Sequence, residues 1–186
     1  MPAHSNKMQY TIILKPCPKT RRKITAVKKH LEALYGYTGS LSNKGVHITM
    51  AYLRNSQFLD VPSVKTVCES TKPFTFELGS TGYFEKIRNN KKSYVVFYRI
   101  IASPEMEEFH ERLVKALGDN SSDTGKFIPH ITLIRKNVHE DNLREILDLT
   151  ENSKISSEFL CKYLILGKRS SQNSRWHFEH LDFRKT

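Results

Sequence analysis

The sequence predicts two sheet-plus-helix lobes arranged about a pseudo-twofold axis, with a ligand cleft between them. Two observations carry this. The tripeptide His-Ile-Thr occurs at 47–49 and again at 130–132, each time opening an apolar, strand-like run, HITMAYL and HITLI. Around each copy the hydrophobic pattern gives the same order of elements: strand, helix, His-Ile-Thr strand, helix, strand. One further strand closes the chain. A chain of 186 residues can bury its own core, and no linker or low-complexity stretch interrupts it. A single bilobal domain over 1–186 is therefore expected.

Met8–Lys15 alternates Tyr10, Ile12 and Leu14 with Gln9, Thr11 and Ile13, which predicts a strand ended by Pro16 and Pro18. Thr20–Tyr35 sets Ile24, Val27, Leu31 and Leu34 on one helical stripe, and Gly36 stops it. A polar loop, Gly39–Gly45, leads to the first motif strand, His47–Leu53. Asp60-Val61-Pro62 starts a short helix running to about Ser70, with Pro62 near its first turn. Phe74–Leu78 and Gly82–Lys86 read as strand pieces, Arg88–Ser93 as a polar turn, and Tyr94–Ile101 as a strand. Ser103-Pro104 opens a helix that buries Met106, Phe109, Leu113 and Leu117 and stops at Gly118. The loop Asp119–Lys126 delivers the second motif strand. His139–Leu149 is a helix with Leu143, Ile146 and Leu147 inward. Glu158–Gly167 is a strand, Lys168–Arg175 a basic, Ser-rich turn, and Trp176–Phe183 the last strand.

The motif spacing has a chemical consequence. Side chains at i and i+2 of a strand share a face, so each His and its Thr look into one space while the Ile between them looks into the core. Two such strands side by side would set two imidazoles and two hydroxyls around one small anion. One imidazole takes a proton while the other gives one, since histidine titrates near neutrality. The hydroxyls hydrogen-bond phosphate oxygens. The competing reading is two unrelated strand histidines, each satisfied by a neighbour. The repeated Ile, the strand context of both copies and the rigid Pro129 before His130 weigh against it.

The net charge of +11, from 30 basic and 19 acidic side chains, points to an anionic ligand or partner. Basic residues cluster at Lys19–Lys23, Lys28-Lys29, Arg88–Lys92 and Lys168-Arg169. The helical pair Lys28-Lys29 reads as a solvated face. Cys17, Cys68 and Cys161 are odd in number and widely spaced, which fits free thiols acting as small buried hydrophobes in a reducing, cytoplasmic setting. No apolar run reaches membrane-spanning length, and the N-terminal residues lack a signal-peptide core. His30, His110 and His139 read as surface residues, and His177 and His180 lack partners at metal-ligand spacing.

With both His-x-Thr-apolar motifs, the Phe127-Ile128-Pro129-His130 form of the second, the Gly82-Tyr83-Phe84 segment and the Gly167–Arg175 turn before a closing strand, the chain resembles the two-histidine (2H), LigT-like phosphoesterases. The resemblance spans Tyr10 to Phe183. It implies an α+β fold of two pseudo-twofold-related antiparallel-sheet lobes with outer helices and a central cleft. It also implies phosphodiester cleavage without metal or cofactor, with His47 and His130 as acid and base and Thr49 and Thr132 holding the phosphate. Activities in the group include opening of 2′,3′-cyclic phosphates and cleavage of 2′–5′ linkages, and some stand-alone members degrade immune second messengers such as 2′,5′-oligoadenylate or cyclic dinucleotides. The expected partner is therefore a small nucleotide or an oligonucleotide, an RNA end included, met by a monomer without membrane or obligate protein partner.

Further candidates for substrate contact follow from this picture. Lys168, Arg169 and Arg175 occupy the turn that in such folds approaches the cleft, and Tyr10, Phe84, Tyr94 and Tyr98 are strand aromatics able to stack on a base. Strand alternation turns Arg135, five residues after His130, away from the pocket. Three functions stay open: a phosphodiesterase for 2′–5′-linked or cyclic nucleotides such as 2′,3′-cGAMP, countering nucleotide immune signalling; an RNA 2′,3′-cyclic phosphodiesterase or 2′–5′ RNA ligase; and a catalytically idle RNA-binding module.

Overall fold

A computed structural model describes residues 9–36, 45–53, 59–121, 126–153, 155, 158–170 and 175–184. The chain begins with β1 (Gln9–Leu14) and α1 (Pro18–Tyr35). The helix starts two residues earlier than its apolar stripe predicts, because Pro18 serves as its first residue, where a missing N–H costs nothing. Gly36, at φ 64°, caps it in the left-handed conformation. β2 (Ile48–Ala51) follows, then α2 (Val61–Glu69), whose Asp60 cap accepts a hydrogen bond from the Ser63 N–H. Of the predicted loop Gly39–Gly45, residues 39–44 lie outside the described residues.

β3 (Phe74–Arg88) and β4 (Lys91–Ala102) form one long hairpin. The two predicted strand pieces are thus a single strand, irregular between Leu78 and Thr81, and the predicted turn shrinks to Asn89-Asn90. Both asparagines sit at positive φ, 51° and 56°, as a two-residue hairpin turn that follows the twist of its strands requires. α3 (Pro104–Leu117), capped by Ser103, leads to β5 (His130–Val138), and α4 (Glu140–Asn152) follows. The strand predicted over Glu158–Gly167 is broken at Lys162 into β6 (Glu158–Cys161) and β7 (Tyr163–Arg169), before β8 (His177–Asp182).

That break assigns the two pieces to different sheets. One sheet runs β2-β1-β7-β8 and the other β5-β4-β3-β6, every pairing antiparallel. The first lobe is therefore not the N-terminal half of the chain, as the repeat suggested. It takes two strands from each end, while the second is built from the middle. In each sheet the His-Ile-Thr strand is an edge, next to the strand that starts its repeat, and the two edges meet as β2 lies against β5. A continuous core of Ile12, Leu14, Ile24, Leu31, Phe74, Val96, Phe109, Leu113, Leu133 and Leu164 fills the space behind the sheets. Cys68 and Cys161 are buried as expected, whereas Cys17, beside the N-terminus of α1, is exposed. Among the described residues no helix is long and apolar enough to cross a membrane.

Candidate active site

The sequence puts Ile48 and Ile131 into the core, both fully buried, and so turns His47, Thr49, His130 and Thr132 into a common cleft of about 180 Å³. Tyr52, Phe84, Lys86, Val95 and Arg135 complete its lining. The two imidazoles are held alike. His47 Nδ1 lies 2.7 Å from the Gly45 carbonyl, and His130 Nδ1 lies 2.8 Å from the Ile128 carbonyl. A carbonyl oxygen only accepts, so in each neutral ring Nδ1 carries the hydrogen and Nε2 is the basic nitrogen. His130 also packs edge-on against Phe84 and beside Phe97, with ring centroids 5.1 and 5.0 Å away. This burial holds its pKa below the ordinary value. The Arg135 charge lowers it further, against the opposing effect of the Ile128 hydrogen bond.

Tyr52 and Arg135 are the fifth residues after their histidines, and alternation alone would turn both away. They reach the cleft because both motif strands bulge at the same place. Thr49 faces Ile13 and Ala51 faces Ile12, leaving Met50 as an extra residue. Thr132 faces Phe97 and Ile134 faces Val96, leaving Leu133 extra in the same way. One added residue reverses the parity of everything after it. The reading of Arg135 as outward-facing is corrected by this bulge. The signal was present in the sequence: Met50-Ala51 and Leu133-Ile134 are consecutive buried apolar pairs that break alternation.

Each bulged strand is braced by a helix that follows the other repeat's first strand. Lys28 of α1 is only 4% exposed and donates from Nζ to the Thr132 carbonyl at 3.1 Å. His110 of α3, likewise buried, contacts the Met50 carbonyl through Nδ1 at 2.8 Å and stacks on Phe127 at 3.8 Å. Neither is the surface residue that helical periodicity suggested. Burial, with the charge of Arg135 second, lowers the Lys28 pKa to about 8.

Of the aromatic candidates, Phe84 enters the cleft. Tyr94 and Tyr98 lie on the opposite face of β4, within the core, where the Tyr98 hydroxyl donates to the Thr150 carbonyl at 3.0 Å. Their neighbours Val95 and Phe97 hold the cleft side instead. Tyr10 is half-buried against the core beside Lys168. Lys168, Arg169 and Arg175 do not line the cleft. Arg169 hydrogen-bonds Gln9 at 2.8 Å and covers the Trp176 ring at 4.6 Å, and Arg175 is exposed at the entry to β8. The intervening turn, 171–174, lies outside the described residues. Among the described residues no group of three or more His, Cys, Asp or Glu is placed to hold a metal ion.

The chain's architecture is similar to that of TT0787 of Thermus thermophilus, with a TM-score of 0.65 at 16% identity over 94% of this chain and 95% of that one. It is also similar to Escherichia coli LigT, with a TM-score of 0.59 at 14% identity over 96% and 99%. LigT has been crystallised in apo form, with 3′-AMP, with phosphate and with ATP. At such identities the likeness is one of fold, and it bears out the bilobal α+β architecture. A Bacillus cytotoxicus protein named as a phosphoesterase is 26% identical over 76 residues, 41% of each chain, so less than half of that relative's length is matched. The family description "2′-5′ RNA ligase superfamily" matches residues 16–173, most of the sequence and both His-Ile-Thr strands. The chain belongs to that superfamily, the LigT-like 2H phosphoesterases.

Proposed function

We propose that the protein is a metal-independent phosphodiesterase that cleaves 2′–5′-linked or cyclic nucleotides, with 2′,5′-oligoadenylate or a cyclic dinucleotide such as 2′,3′-cGAMP as substrate. The observation that carries this reading is the pair of imidazoles, each with Nδ1 on a carbonyl and Nε2 as its base, sharing one cleft with two threonines. In a 2′–5′ linkage the 3′-hydroxyl is free. His130, kept neutral by its aromatic surroundings, removes that proton. The 3′-oxygen attacks phosphorus, the bond to the 5′-oxygen breaks, and His47 protonates the leaving oxygen. The products are a 2′,3′-cyclic phosphate and a free 5′-hydroxyl. Water opens the cyclic phosphate with the roles exchanged. Because the nucleophile belongs to the substrate, its proximity is already supplied. Thr49, Thr132, Lys86 and Arg135 surround the phosphoryl oxygens and stabilise the charge that grows on them.

A role in countering nucleotide immune signalling follows if the substrate is such a messenger. The excess of positive charge favours a second substrate within the same chemistry, an RNA end bearing a 2′,3′-cyclic phosphate. Product analysis by mass spectrometry in excess EDTA decides between them, using 2′,5′-oligoadenylate, 2′,3′-cGAMP, all-3′–5′ cyclic dinucleotides and an RNA with a 2′,3′-cyclic end. Cleavage of the 2′–5′-containing compounds, lost in His47→Ala and His130→Ala, is the expected result. Turnover of the RNA end alone moves the protein to RNA processing. No turnover with retained RNA binding leaves an idle binding module.

A further inference from the structure

The face of the first sheet that carries Thr49 continues away from the cleft, and cross-strand pairing identifies what stands on it. Thr49 is opposite Ile13, Ile13 opposite Ile165, and Ile165 opposite His180. One level along, Thr11 is opposite Gly167 and Gly167 opposite Phe178. Next, Gln9 is opposite Arg169. Opposed residues of an antiparallel pair share a face, so Phe178 and Arg169 stand on the face of Thr49.

Gly167 makes this arrangement possible. A Cβ there would lie 2.7 Å from Thr11 Cγ2 and 3.0 Å from the Phe178 ring, so only glycine lets that ring lie down across β7. Phe178 nevertheless stays 37% exposed. Lys15 Nζ sits 4.1 Å from its ring centroid. Continuing the Leu14–Ile48 pairing by one residue brings Lys15 beside His47. Trp176, two residues before Phe178 and half-exposed, lies under the Arg169 guanidinium. The two rings thus stand two residues apart at the start of β8, about 6.8 Å by strand rise, each with a cation against it. The β8 strand is three places from β2, roughly 14 Å across the sheet. The acid on this face, Asp182, lies at the far end of β8 from Trp176.

We propose that Phe178 and Trp176, flanked by Lys15 and Arg169, form a base-stacking platform for the part of a single-stranded oligonucleotide that extends beyond the reacting phosphate. The inference deepens the phosphodiesterase reading and rests on it for the location of that phosphate. Each ring carries a cation over one face, and a nucleobase takes that place when the cation swings onto a neighbouring phosphate, an exchange that suits bases of any sequence. The preferred substrate is then an oligomer, and a mononucleotide-sized ligand leaves the platform empty.

Trp176 is the one tryptophan of the chain, so its fluorescence reports the platform directly. The probes are single-stranded oligodeoxyadenylates of one to five nucleotides. They lack the neighbouring hydroxyl that the reaction needs, so they bind without being consumed. Affinity should climb with length, with Trp176 quenched only by the longer probes. Phe178→Ala should weaken the pentamer about tenfold and leave the mononucleotide unchanged. Phe178→Tyr, which keeps the ring, should restore wild-type affinity. Affinity independent of length, an unresponsive Trp176, or an equal loss for mononucleotide and pentamer overturns the platform. Because none of these readings needs turnover, an inactive enzyme that still shows the length dependence refutes the phosphodiesterase reading alone.

Discussion

Replacing Lys28 by Met tests the brace behind the second motif. Lys28 is buried and donates to the Thr132 carbonyl, and no carboxylate is among the causes that shift its pKa. Glu32, one turn further along α1, and Arg21, two turns back, share its helix, and Arg135 faces it from β5. The fall in its pKa from 10.5 to about 8 corresponds to roughly 3 kcal/mol held against the folded state while the ammonium is charged. The sign follows from proton counts. Between pH 8 and 10.5 the unfolded chain keeps the proton that the folded protein has released, so stability contributed by this group rises with pH.

Methionine has nearly the same reach and no charge. The stability difference between wild type and Lys28→Met should therefore move by about 2 kcal/mol in favour of the wild type from about pH 7 to about pH 9.5. Taking the difference removes the opposing contributions of Cys68, Cys161 and Tyr98, whose raised pKa values are common to both proteins. Urea denaturation at a series of pH values measures this. Once the donor is gone the Thr132 carbonyl and the bulge beside it relax, and activity should fall about ten- to a hundredfold. A difference that stays flat with pH would falsify the assignment of Lys28 as a buried, titrating cation.

Further consequences concern the cleft itself. His47→Ala and His130→Ala should each lower kcat/KM by about 10²–10⁴ while leaving thermal stability nearly unchanged; wild-type turnover in either variant removes it from the chemistry. Arg135→Gln should raise KM for phosphodiesters about tenfold or more with little change in fold, and steady-state kinetics with an unchanged KM would place Arg135 outside the phosphate's reach. With His130 as the base, kcat/KM should climb through a midpoint below the ordinary 6.5 as pH rises, because the ring acts only when neutral. Phe84→Ala admits water to that ring and should carry the midpoint upward; a pH profile unmoved by the substitution disconnects burial from the titration. Gly82→Ala places a Cβ 2.9 Å from the Phe97 ring that backs His130, so it should lower stability by about 1–3 kcal/mol in urea titrations, and a neutral result means the ring shifts freely.

Much of the fold was legible because local periodicity and local punctuation agree. Ile24 and Leu31 mark α1, the Ser103-Pro104 pair marks the start of α3, and Gly36 and Gly118 mark helix ends. What local pattern does not contain is partnership. Phe159, Cys161, Leu164, Ile165 and Leu166 form one apolar stretch, yet Lys162 divides it between two sheets. Nothing within that stretch says that Phe159 pairs with Phe76 and Ile165 with Ile13, since both partners are far away in the chain. The same limit applies to Tyr94 and Tyr98. Their β-propensity was evident, but which face of β4 meets the cleft depends on the registers of β3 and β5.

The site shows why alternation, the rule that located the two histidines, could not by itself complete their surroundings. It predicts the His and Thr of each motif correctly because both precede the bulge. It then fails for the same residue in both copies, Tyr52 in one and Arg135 in the other. A bulge frees a backbone group from the ladder, and a buried carbonyl needs a donor. Here the donors come crosswise, Lys28 of α1 to β5 and a ring nitrogen of His110 of α3 to β2. Each helix follows the strand that opens one repeat and braces the motif of the other. The two half-sites are thus tied together beneath the cleft, and their unlike occupants, a phenol at position 52 and a guanidinium at position 135, make the pocket chemically asymmetric. An asymmetric phosphodiester, with a nucleophile on one side and a leaving group on the other, is the ligand such a pocket can bind in one orientation.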